Sequence, residues 1–206
     1  MIKNSTLQDY NIKVVNNFDR NVSKTLVLGS GELLPLPESY NQAVIQFKLA
    51  DCEEWSSEWH VYAIKNIIQP EKAGYLQHGT TYTFFRKQAA EYSGTFNVNL
   101  MPPLVLKNCL PCDLHLQFVD SNNVLCKMAL QKEQVKNVFQ FDLQKEIKLQ
   151  VCIPGYNFAT LSLSNKVELL EEVQGVICLT DLDGCKLEIQ YTKSSKTAGF
   201  ALSFFI

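Results

Sequence analysis

Met101 to Phe118 reads MPPLVLKNCLPCDLHLQF. Pro102 and Pro103 open it, and neither can donate to a strand ladder, so no strand runs through them. A short apolar run leads to Asn108, a second turn follows at Leu110-Pro111, and alternation then begins at Leu114. The double proline is therefore a seam. Residues 1–100 read as one β-rich module and residues 101–206 as a second.

Working outward, both modules show short strand-like runs separated by turn signals. In the first, residues 12–16 and 24–28 are rich in β-branched residues, and Gly29-Ser30-Gly31-Glu32 makes a loop. Residues 43–49 (AVIQFKL) set Ile45, Phe47 and Leu49 on one face, as a half-buried strand does. Residues 61–68, 74–85 and 96–100 are further strand candidates. Trp55 and Trp59 read as core packing on an irregular turn or strand rather than as a ligand platform. In the second module the candidates are residues 113–119, 124–130, 138–143, 147–153, 158–164, 176–180, 186–192 and 200–206. Pro154-Gly155 and Asp183-Gly184 are turn cues between them. Only residues 166–173 (KVELLEEV) carry a helical composition. Strands this short, with turns at this spacing, predict an all-β fold of two tandem antiparallel β-sandwich repeats of about a hundred residues each. A faint echo supports the repeat: Val14-Val15-Asn16-Asn17 and Leu106-Lys107-Asn108-Cys109 each run from apolar residues to an Asn before a turn.

Totals exclude several functions. The 206 residues are 46% hydrophobic and 19% charged, with a formal net charge of -2. That balance is too apolar for disorder and offers no basic field for nucleic acid. No run of about eighteen apolar residues is present, so no membrane helix is expected. The first residues lack the apolar core of an export signal, which makes the cytosol the expected compartment. Seven cysteines are an odd set for a disulfide framework. Cys152 and Cys178 lie in apolar strand patterns, where a free thiol acts as a small buried hydrophobe.

No catalytic signature appears, and no enzyme, metal or cofactor is expected. Cys109 and Cys112 form one CxxC, but a structural zinc site needs four ligands and no second pair follows. A redox pair would want a helix after the first Cys, and here Pro111 and a strand follow. His60, His78 and His115 have no acid in motif spacing. Asn108 has two compatible readings. It bonds its own turn at a strand end, or its amide holds a loop that shapes a binding surface.

The segment Pro102-Pro103-Leu-Val-Leu-Lys-Asn108-Cys-Leu-Pro111, with Gly29-Ser-Gly-Glu-Leu-Leu-Pro-Leu-Pro and Trp55-Ser, resembles the adaptor-binding domain of the vacuolar protein sorting-associated protein 13 family. Those proteins are long bridges that move lipid between organelles. The resemblance implies β-sandwich repeats, each carrying a characteristic Asn, and Asn16 and Asn108 are the best matches to it. It also implies adaptor partners whose Pro-x-Pro peptides dock on the domain, and a peripheral place at organelle contact sites. The lipid-carrying groove of the family is not in this sequence. The expected partner lies extended along a sheet edge or between modules. Pro35-Leu36-Pro37 has the same shape and reads as an internal edge segment. The rival expectation is a β-sandwich spacer with no ligand of its own.

Overall fold

Strand pairing stops at Met101 and resumes at Leu104, with the two donor-less prolines between. In the computed structural model, residues 1–16, 18–35, 43–60, 72–89, 96–120, 123–143, 145–163, 172–194 and 200–206 are described. Among them there is no helix. Two compact units result, Met1–Pro102 and Pro103–Ile206.

The first unit contains β1 (Ile2–Asn4), β2 (Tyr10–Asn16), β3 (Ser23–Leu28), β4 (Leu33–Leu34), β5 (Ala43–Leu49), β6 (Trp59–His60), β7 (Lys72–His78), β8 (Thr81–Ala89) and β9 (Phe96–Met101). The second contains β10 (Leu104–Asn108), β11 (Leu114–Asp120), β12 (Asn123–Leu130), β13 (Val135–Val138), β14 (Lys148–Cys152), β15 (Ala159–Ser162), β16 (Val173–Thr180), β17 (Lys186–Ser194) and β18 (Phe200–Phe205). Each unit is a pair of sheets. In the first the orders are β4-β1-β9-β8-β7 and β3-β2-β5-β6; in the second, β13-β10-β18-β17-β16 and β12-β11-β14-β15. The two lists match strand for strand. Even the one parallel contact recurs, β1 with β9 and β10 with β18, against antiparallel neighbours elsewhere. The fold is all-β and consists of tandem sandwich repeats.

Alternation explains the cores. Ile45, Phe47 and Leu49 of β5 point inward, as do Ile12 and Val14 of β2 and Val98 and Leu100 of β9. In the first unit, Trp59 stands edge-on to Phe47 at 5.5 Å and to Phe85 of the facing sheet at 4.6 Å. In the second, Leu116, Phe118, Leu149 and Val151 face Leu106, Ile189, Leu202 and Phe204 in type, all fully or nearly fully buried.

Several expectations need correction. Residues 74–85 are a hairpin rather than one strand: Gly79 takes φ +57° and folds β7 back on β8. The expected strand at 138–143 lies instead at Val135–Val138. Phe139, Phe141 and Leu143 beyond it are buried by alternate spacing without ladder pairing. Cys178 is exposed, because β16 buries Ile177 and Leu179 and turns its even positions outward. Cys152 is buried, and all seven cysteines are free. Asp183-Gly184 does turn the chain between β16 and β17, with Asp181 Oδ1 accepting from the amides of Asp183 and Cys185. Residues 61–68, Leu36-Pro37 and all but the last two of residues 166–173 lie outside the described residues; Val173 opens β16.

Candidate functional site

An amide side chain buried where a strand ends must have each of its polar atoms satisfied. Asn108 closes β10 and is fully buried. Its Nδ2 donates to the carbonyls of Cys112 (2.8 Å), Leu130 (3.0 Å) and Gln131 (3.0 Å), and its Oδ1 accepts from Leu110 N at 3.0 Å. Asn108 thus bonds its own turn and also fastens the end of β12, whose last residue is Leu130. No polar atom is left to meet a partner directly.

The first unit repeats the arrangement at Asn4. Asn4 closes β1, is fully buried, and donates from Nδ2 to the carbonyls of Gln8 (2.8 Å) and Leu28 (3.1 Å). Its Oδ1 accepts from Thr6 N and from Thr6 Oγ1. Leu28 ends β3, the counterpart of β12. The neighbours repeat as well. Asp9 Oδ1 accepts from Ser30 N, and Asp113 Oδ1 from Lys132 N. Glu32 Oε2 accepts from Gly29 N, and Gln134 Oε1 from Gln131 N. Gly31 and Glu133 share a left-handed backbone, with φ +77° and φ 57°. The corner is one device used twice.

The expected echo therefore pairs the wrong residues. The mate of Asn108 is Asn4, and Asn16 occupies the place of Asp120, the last residue of β11. Asn16 is exposed, and its Oδ1 accepts from Phe18 N at 2.9 Å, an Asx turn opening the β2–β3 hairpin. The signal that would have found the true register is Lys3-Asn4 with Asp9 against Lys107-Asn108 with Asp113, each apolar residue falling in step through Val15 and Val119. Asn4 was missed because β1 has only three residues and no visible alternation.

Sheet edges are the second feature. Edge strands offer unpaired amides and carbonyls to an extended chain. β4 and β6 are two residues long, and β13 and β15 four. β3 is longer but begins Ser23-Lys24-Thr25, with Val27 its one exposed large apolar residue. On β16, the Tyr191 ring lies across Gly175, leaving no space for even a methyl there. Lys193 Nζ of β17 donates to Ser162 O at 3.1 Å and stands 5.4 Å from the Tyr191 ring, while β16 itself exposes Val173 and Val176. β12 is eight residues long. Its adjacent Val124 and Leu125, where β12 shifts register against β11, are 48% and 49% exposed. Lys127 is its one charged residue.

Cys109 is exposed beside the Asn108 corner, and Cys112 contributes only its carbonyl to it. Among the described residues no group of three or more His, Cys, Asp or Glu is disposed to hold a metal ion. No described helix is long and apolar enough to cross a membrane.

The family model for the vacuolar-sorting associated protein 13 adaptor binding domain matches residues 1–206, the whole chain. The chain belongs to that family. No curated protein matches it. This chain is accordingly an adaptor-binding domain, built of two sandwich repeats that are each tied at the same Asn corner.

Proposed function

We propose that this domain docks Pro-x-Pro segments of adaptor proteins as an added strand on β12, and so brings a lipid-transfer protein to organelle contact sites from the cytoplasmic side. The observation that carries the reading is the family match over the whole chain. Physical chemistry supports the mode. In an antiparallel pair, alternate residues direct both N–H and C=O toward the partner strand, and those between direct theirs away. Prolines at i and i+2 place both missing donors on the outward side. The residue between them supplies the inward N–H and C=O. The outward prolines then stop any further strand from adding. Both proline rings then fall on one face of the added strand, beside the exposed apolar side chains of Val124 and Leu125.

On this reading Asn108 shapes the site without touching the ligand, by holding the end of β12 through Leu130. Asn16 orders the hairpin that leads into β3, the counterpart of β12 in the first unit, which this proposal leaves without a ligand.

The test is a fluorescence-anisotropy titration of a labelled Pro-x-Pro peptide into the protein. Saturable binding is expected. It should be lost when the central residue of the peptide is N-methylated, and weakened at least tenfold, about 1.4 kcal/mol, by Leu125→Lys. Absence of saturable binding by the parent protein contradicts the proposal and favours a spacer without a ligand.

A further inference from the structure

The first unit carries a chain of buried polar groups through its core. Tyr10 Oη lies 2.7 Å from Thr83 Oγ1, Thr83 Oγ1 lies 2.9 Å from His78 Nε2, and His78 Nδ1 lies 2.8 Å from the Phe47 carbonyl. All three side chains are buried. A carbonyl only accepts, so Nδ1 carries the proton. In the neutral ring Nε2 then accepts from the Thr83 hydroxyl, which in turn accepts from Tyr10. The Phe47 carbonyl also accepts from Ser56 N at 2.7 Å, and the Phe47 amide donates to Ser56 Oγ at 2.9 Å. His78 is thereby tied to the strand that carries the core ring against which Trp59 packs.

The fold does not require this chain. Strand register places Leu114, Ile189 and Leu179 of the second unit where the first has Tyr10, Thr83 and His78. All three are fully buried. One repeat fills these positions with hydrocarbon, and the other with a hydrogen-bonded imidazole.

We propose that His78 makes the first unit, and not the second, responsive to mild acid: a proton on Nε2 turns it from acceptor to donor, leaves one of the Thr83 and Tyr10 hydroxyl protons without an acceptor in the chain, and so disfavours the folded arrangement of the sheets around Phe47. No other titratable group among the described residues bonds the ring, since both its nitrogens are taken. Tyr10 comes from β2. Cys52 Sγ lies 3.4 Å from Thr81 Oγ1, and the Glu54 carboxylate flanks Gly79. Lys48 of β5 stands over the Trp55 ring instead. Burial holds the imidazole below its ordinary value of 6.5, opposed in part by the Phe47 carbonyl. Above that value both folded and unfolded chains carry a neutral ring, and no penalty arises. Below it the unfolded chain takes up a proton that the folded unit refuses, so stability falls as pH falls, up to roughly tenfold in the folding constant per pH unit.

Both tryptophans, Trp55 and Trp59, belong to the first unit, so their emission reports that unit alone. Urea unfolding of the whole chain followed by tryptophan emission should show a folding constant lower at about pH 5.5 than at about pH 7.5, by up to about tenfold. The variant Tyr10→Leu, Thr83→Ile, His78→Leu, which copies the second unit, should lose most of that difference. Exposed His60 is present in both proteins and cancels. Nitrogen-15 shifts of the wild-type ring provide an arm independent of the variant's folding, and should give the Nδ1–H tautomer with protonation in the folded protein shifted to lower pH than in the unfolded chain. An unchanged folding constant, a full pH response in the triple variant, or a ring titrating normally in the folded chain would each overturn the proposal.

Discussion

At the scale of single residues, Asn108 and Asn4 do work that no other side chain of their size can. Nδ2 must donate to carbonyls while Oδ1 accepts from an amide two residues on, a combination that only a carboxamide offers. Truncating Asn108 to Ala leaves Leu110 N and the carbonyls of Cys112 and Leu130 short of a partner in or near the core. The expected loss is about 2–4 kcal/mol from the second unit, measured by urea denaturation followed by circular dichroism. Asn108→Asp should be no better than Ala, because a carboxylate is acceptor-only and would face three carbonyl oxygens. A variant with Asp that matched the parent would mean that the three Nδ2 bonds carry little. Asn108 was recognisable in the sequence from its place after an apolar run. Its fourfold bonding was not, since Leu130 and Gln131 are brought to it only by the sandwich.

Among the elements, what alternation made visible was the set of longer strands. β5 falls at residues 43–49 as expected, and β2, β3, β11, β12, β16, β17 and β18 lie within a few residues of their expected positions. The two-residue strands β4 and β6 and the three-residue β1 were illegible, because a period of two needs more residues than they have. The β12–β13 turn was hidden for another reason. Gly31 announces a left-handed turn in the first unit, but Glu133 holds the same conformation in the second. A side chain there costs about 1–2 kcal/mol, part of which glycine returns through its greater freedom when unfolded. Glu133→Gly should therefore stabilise the second unit by roughly 0.5–1 kcal/mol in the same denaturation experiment. A loss of stability would show that the Glu133 side chain makes up for its backbone.

For the whole molecule, two units share one topology and one corner yet differ where their sheets meet. The first closes on Tyr10, Thr83 and His78, the second on Leu114, Ile189 and Leu179. A sandwich fold by itself specifies no ligand, so the adaptor-binding role rests on the family, and the proposed docking mode on the β12 edge. The polar chain of the first unit could not be read from the sequence, where Tyr10 is far from His78 and Thr83 and the three form no motif. The proposed docking mode depends on the β12 edge. Hydrogen–deuterium exchange of the whole chain with and without a saturating Pro-x-Pro peptide examines it directly. The expected result is new protection at alternate amides of Asn123–Leu130, with the amides of β3 unchanged. A bound peptide that leaves the β12 amides exchanging as before would contradict it.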